Sequence, residues 1–217
     1  MSTIKHRGYS RKFHQRNGQT RRVNEPLWKA DREIETFERP TARAQSLAEA
    51  LYLRFLMVCR LVIGILDQPP PVLYRFRRKD RKAFPDVQVR YADGRIELHE
   101  IKDARLKDDP ELQERITAIA SACNKLGKTY RVIFSDECYQ QPRRHNVQLI
   151  LRCREHPGAE RFLEGAENFV LSRDRTTLGE LKAATGIDTC SFLALVCAGH
   201  FEIDLCAPIT ADTIVMP

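Results

Sequence analysis

The chain has no acidic residue among its first 24 positions, no uncharged apolar run of membrane-spanning length and no signal-peptide pattern. Its most hydrophobic window, residues 47 to 66, is interrupted by Glu49, Arg54 and Arg60, which excludes a spanning helix there. The seven cysteines are odd in number and scattered through apolar patterns. A disulfide framework is therefore not expected, and the reading is a cytoplasmic protein with reduced thiols. No Cys-x-x-Cys accompanies them either. The Cys-x-x-His pairs Cys153/His156 and Cys197/His200 are accordingly read as thiols within apolar patterns beside surface histidines rather than as a zinc site.

What the chain does contain is positive charge, unevenly placed. Lys5, Arg7, Arg11, Lys12, Arg16, Arg21 and Arg22 by themselves equal the net charge of +7. Residues 25 to 158 add an excess of five positive charges, and residues 159 to 217 carry nine acids against four bases. A basic arm on a basic body suits a polyanion such as DNA, whereas the acidic C-terminal part suits a different partner. Three regions are expected: a basic arm over 1–24, a main domain over 25–158 and a smaller one over 159–217. The arm, without hydrophobic period, reads either as a DNA-contacting segment or as a solvated tail.

Ser46 followed by Glu49 is a capping box that opens a helix. Glu49 is either its cap partner or a site carboxylate facing a neighbouring sheet. The prolines 69–71 end whatever precedes them, and Val72 to Phe76 reads as a strand. Arg77 to Lys82 then form a basic turn whose Arg78, Lys79, Arg81 and Lys82 are either solvated or placed for phosphates. Val87 to Tyr91, Asp93-Gly94 and Arg95 to Ile101 make a hairpin. Asp109 and Pro110 start a helix whose apolar face runs through Leu112, Ile116, Ile119, Cys123 and Leu126. Tyr130 to Phe134 returns as a strand after a crossover long enough for parallel pairing. The order is helix, three strands, helix, strand. Beyond Ala159, helices from Thr177 and near Thr189 precede a ribbon of Phe201 to Leu205 with Thr213 to Val215, a winged-helix pattern.

The chemistry concentrates in Pro85-Asp86 and, fourteen residues after Asp86, Glu100-Ile101-Lys102. Two carboxylates can hold a hard cation, Mg²⁺ or Mn²⁺, with the Ile101 carbonyl as a further oxygen, while the Lys102 ammonium orients an attacking water. The same pattern is also that of an exposed alternation on an edge strand. A two-residue Asp93-Gly94 loop conflicts with a shared site, because it sets Val89 against Leu98 and Val87 against Glu100, leaving Asp86 on the opposite face. A common site needs a three-residue loop or a one-residue shift, and Pro85 predicts a bulge or kink around Asp86.

Ser46-Leu47-Ala48-Glu49, Asp67-Gln68-Pro69, Pro85-Asp86, Glu100-Ile101-Lys102, Lys125 to Lys128, Tyr130 to Phe134 and Asn146 to Arg152 together resemble the TnsA family, the endonuclease subunit of heteromeric bacterial transposases. The resemblance implies an α/β restriction-endonuclease-like core, a mixed sheet flanked by helices, with Glu49, Asp86, Glu100 and Lys102 in one site. Some members carry glutamine at the position of Glu100. It further implies cleavage of the 5′ strands at transposon ends, beside a DDE-type transposase subunit that acts on the 3′ strands. An AAA-type ATPase regulator would bind residues 159–217. A stand-alone restriction or repair nuclease and a non-catalytic DNA-binding adaptor are the alternatives.

Overall fold

The computed structural model describes Val23–Pro26, Thr41–Ala44 and residues 46–217. The candidate DNA contacts Lys5, Arg7, Arg11, Lys12, Arg16, Arg21 and Arg22 lie outside the described residues. Strands β1 (Val23–Pro26) and β2 (Thr41–Ala44) pair antiparallel ahead of the main body.

Helix α1 (Leu47–Val58) begins where Ser46, in extended backbone, accepts the Glu49 amide at 3.1 Å. Buried residues cover most of its circumference because it is packed between the sheet and other helices. After it, β3 (Val62–Asp67) leads to the prolines, then β4 (Val72–Phe76) and β5 (Lys79–Ala83), β6 (Val87–Tyr91) and β7 (Ile96–Lys102). The basic run is thus not a loop: only Arg77 and Arg78 turn the chain, both at positive φ, and Lys79 to Lys82 are exposed residues of β5. β4 does not join the main sheet either. It pairs with β5 as a separate hairpin, and the third strand beside β6 and β7 is β3.

The β6–β7 hairpin closes with a three-residue loop. Gly94 N–H donates to the Tyr91 carbonyl and Tyr91 N–H to the Arg95 carbonyl, both at 3.0 Å, with Gly94 at φ 84°. The register is therefore Val89 with Glu97 and Val87 with His99, one residue away from the two-residue expectation. Only Gly94 takes the left-handed conformation; Asp93 stays outside it and accepts the Arg95 amide at 3.0 Å. A two-residue loop of the type favoured in hairpins would need both residues at positive φ. Gly94→Ala is expected to cost about 1 kcal/mol, from φ alone because a Cβ there meets nothing within 4 Å, and Gly94→Asn less. Denaturant melts check this, and an alanine variant as stable as the parent contradicts it.

Asp109 caps α2 (Pro110–Asn124), accepting the Glu111 and Leu112 amides. The helix carries the chain across to β8 (Thr129–Phe134), which pairs parallel to β7. Leu126, expected on its apolar face, lies past the helix end and is exposed. The sheet β3-β6-β7-β8 is mixed and flanked by helices, an α/β arrangement. α1 and α3 (Ser135–Tyr139) cover one face, and α2 with the β4–β5 hairpin covers the other.

α4 (Arg143–Cys153) continues toward α5 (Leu163–Leu171), β9 (Thr176–Thr177), α6 (Leu178–Thr185), α7 (Thr189–Ala198) and β10 (Ile214–Val215). The Thr177–Glu180 capping box starts α6 as expected. The expected ribbon is replaced: β10 pairs with β9, and Phe201 to Leu205 contributes one bridge, Glu202 with Met216. Val58, Val147, Ile150 and Cys153 share a core with Phe192, Leu195 and Phe201, so apolar packing continues across the expected boundary at 159. Among the described residues no single helix is long and apolar enough to cross a membrane.

Candidate active site

The chain bends at Asp86, where the expected irregularity lies. Its N–H donates to the His99 carbonyl at 2.9 Å although His99 is the partner of Val87, and its own carbonyl accepts from Gln68 N–H at 2.9 Å. Held from both sides, the side chain turns its Oδ2 to the Ile101 amide at 2.7 Å. The hairpin's register sets Asp86 toward Glu100, as a three-residue loop requires.

Burial pushes the Asp86 carboxyl up to about 6, opposed by the Ile101 N–H; the charges of Glu49 and Glu100 raise it further and Lys102 lowers it. Those causes place all four charged candidates in one electrostatic environment. Glu100 is almost fully buried and pairs with the Lys102 ammonium, two residues on along the same face of β7. Its other oxygen accepts the Tyr130 hydroxyl from β8, whose pKa burial and Glu100 push upward. The Glu49 carboxylate accepts from Ser46 Oγ at 3.1 Å rather than from the Ser46 backbone N–H of a capping box, and its charge raises the Asp86 pKa.

Tyr130 is a site contact the sequence did not disclose as one. Only the parallel register, Leu98 with Tyr130, brings its hydroxyl to Glu100. A second missed group lies on the other side of β7. His99, with no solvent exposure, meets the Tyr52 hydroxyl at Nδ1 and Glu97 at Nε2, both at 2.8 Å. Burial lowers the His99 pKa and so favours the neutral ring. An ionised Glu97 can only accept, so Nε2 carries the proton and Nδ1 accepts from Tyr52. Arg95 Nη1 holds the other Glu97 oxygen at 3.1 Å. Tyr52 sits three residues after Glu49, so this chain of bonds ties α1 to the strand that bears Glu100 and Lys102.

Among the described residues no three Asp, Glu, His or Cys side chains form a ready-made metal cage. The donor set nevertheless suits a hard divalent cation, since every donor is oxygen and three carboxylates face one ammonium. Burial is the main cause of the raised Asp86 pKa, and the Glu49 and Glu100 charges add a smaller repulsion that a cation would offset. For Glu100 to ligate, its oxygen must leave Lys102. Three of the four Cys-x-x-His residues have other partners: Cys153 Sγ lies 3.1 Å from Cys190 Sγ, His156 is near Asp188, and His200 pairs with Glu167, while Cys197 is buried in α7.

Of the basic candidates, Arg78, Lys79, Arg81 and Lys82 project from the β4–β5 hairpin, three residues ahead of Asp86 at its nearer end. Arg77 is instead held against α2 by Glu111 and Glu114, at 3.6 and 3.1 Å. No protein-family model matches this chain, and no curated protein matches it.

Proposed function

We propose that the chain is a Mg²⁺- or Mn²⁺-dependent DNA endonuclease with a restriction-endonuclease-like core, the 5′-strand-cutting subunit of a TnsA-type heteromeric transposase. The observation that carries this reading is the convergence on Asp86 of the Ile101 amide and the charges of Glu49, Glu100 and Lys102. Asp86, Glu100 and the Ile101 carbonyl would hold the cation. When bound, it withdraws charge from the phosphoryl group under attack. Lys102, released from Glu100, positions the water that attacks and leaves a 5′ phosphate. Glu49, at the first turn of α1, adds the acceptor that keeps this water aligned. The basic hairpin residues hold the flanking phosphates.

The C-terminal order of α5, β9, α6 and α7, then the Glu202–Met216 bridge with β10, supports a winged-helix-like module. Its acidic balance supports a protein partner there, the AAA-type ATPase, with the DDE-type transposase subunit assembling beside the core. A cytoplasmic, nucleoid-associated location follows from that role.

The test is nicking of transposon-end duplex in the presence of the transposase partner and Mg²⁺. Asp86→Ala and Lys102→Ala are each expected to lose about 100-fold or more in rate. Equal cleavage by parent and variants refutes the site. Cleavage of arbitrary DNA by the isolated chain points instead to a stand-alone nuclease.

A further inference from the structure

Basic residues also gather on the face of the sheet opposite the β4–β5 hairpin. Val147, Ile150 and Cys153 turn one side of α4 into the core. That leaves Arg144, Gln148 and Arg152, at four-residue spacing, as one outward stripe. Gln148 and Arg152 join Arg54 of α1, Leu151 and Arg154 in lining a cleft of about 340 Å³. A smaller adjoining cavity shares Arg54 and Gln148 and includes Arg144. Among the described residues no acidic side chain lines either cavity. Arg154 reaches Glu155 at 3.3 Å, a weak solvent-screened contact that a stronger acceptor such as phosphate can displace.

We infer that this α1–α4 cleft is a second phosphate-binding surface, which holds the backbone of the DNA whose other side meets the β4–β5 hairpin. The identity of the ligand as DNA rests on the nuclease reading above. The guanidinium groups of Arg54, Arg152 and Arg154 and the Gln148 amide match phosphate oxygens, which arginine can engage with two parallel hydrogen bonds. Arg54 follows Glu49 by five residues, about 7.5 Å along and roughly 140° around the axis of α1, so the helix that bears the Glu49 carboxylate also bears one wall of the cleft. A duplex seated over the acidic cluster would meet positive charge on both faces of the sheet. An enzyme that must hold DNA on each side of one scissile bond needs such a grip.

The experiment is fluorescence anisotropy of a labelled 30-base-pair duplex with the full chain, without divalent metal, across a KCl series. Arg152→Gln/Arg154→Gln is expected to bind about ten-fold more weakly at moderate salt, with the slope of log affinity against log salt flatter by about two. Arg152→Lys/Arg154→Lys retains the charge and is expected to recover the slope, which separates phosphate contact from misfolding. Unchanged affinity and slope in the glutamine variant overturn the inference. So does competition by single-stranded RNA or polyglutamate, at equal charge, that exceeds competition by duplex. If the slope changes as expected while no DNA is nicked, the nuclease reading fails and this surface stands. If DNA is nicked while the slope is unaltered, the reverse holds.

Discussion

At pH 8, Asp86→Asn is expected to raise the unfolding free energy by about 1–3 kcal/mol while abolishing strand cleavage. Its carboxyl is raised from 3.8 to about 6, with burial the main cause. Between those two values the folded state binds more protons at this group than the unfolded state does, so stability falls as pH rises through the window. The gap corresponds to roughly 3 kcal/mol at full weight, less for a group that keeps some solvent contact. Above about pH 6 the whole penalty is in place. Asparagine removes the charge but keeps an oxygen for the Ile101 amide, so it relieves the penalty without orphaning the donor. Below about pH 4 the acid is protonated in both states and the two proteins should converge. Urea melts at pH 4 and pH 8 measure both limbs. Added Mg²⁺ is expected to stabilise the parent at pH 8 and not the variant. An asparagine variant less stable than the parent at pH 8 would show that Asp86 is a structural ion rather than a strained functional one.

The elements that local chemistry specifies were readable: the Ser46 cap, the Asp109–Pro110 helix start, the Thr177 box and the parallel return of β8 all follow from nearby residues. What was not readable depends on register. Asp93-Gly94 suggests a two-residue loop, and only the Tyr91–Arg95 bond reveals three, which moves Asp86 across to Glu100's side. The basic turn expected over Arg77 to Lys82 narrows to Arg77-Arg78 for a different reason: two arginines at φ 48° and 62° occupy positions where glycine or asparagine is the usual signal. The cluster on Arg77 supplies the compensation: its guanidinium sits over Phe76 and reaches two α2 glutamates. Tyr130 and His99 belong to the site region through strand neighbours more than thirty residues apart or through the far face of β7. No spacing within either segment encodes that contact.

His99→Ala is the substitution expected to damage the fold most. The ring is fully buried and bonded at both nitrogens. Removing it strands the Tyr52 hydroxyl, takes from Glu97 the short bond at one oxygen while Arg95 still holds the other, and opens a void beneath α1. Buried groups stranded in this way cost about 3–5 kcal/mol together, equivalent to a fall of about 10 °C in Tm. Tyr52→Phe removes only one donor and is expected to cost about 1 kcal/mol. Because both bonds belong to one chain, Tyr52→Phe should cost less in the His99→Ala background than in the parent, a coupling that thermal or urea melts of the four proteins resolve. Additive losses would mean that the two residues act separately. The functional consequence follows from geometry. Tyr52 fixes α1 against β7 one turn beyond Glu49, so loosening it frees Glu49 while Asp86, held by Ile101 and Gln68, stays in place. Tyr52→Phe should therefore lower the nicking rate at saturating Mg²⁺ several-fold with little change in duplex affinity. A variant with the parental rate would confine the Tyr52–His99–Glu97 chain to holding the fold together.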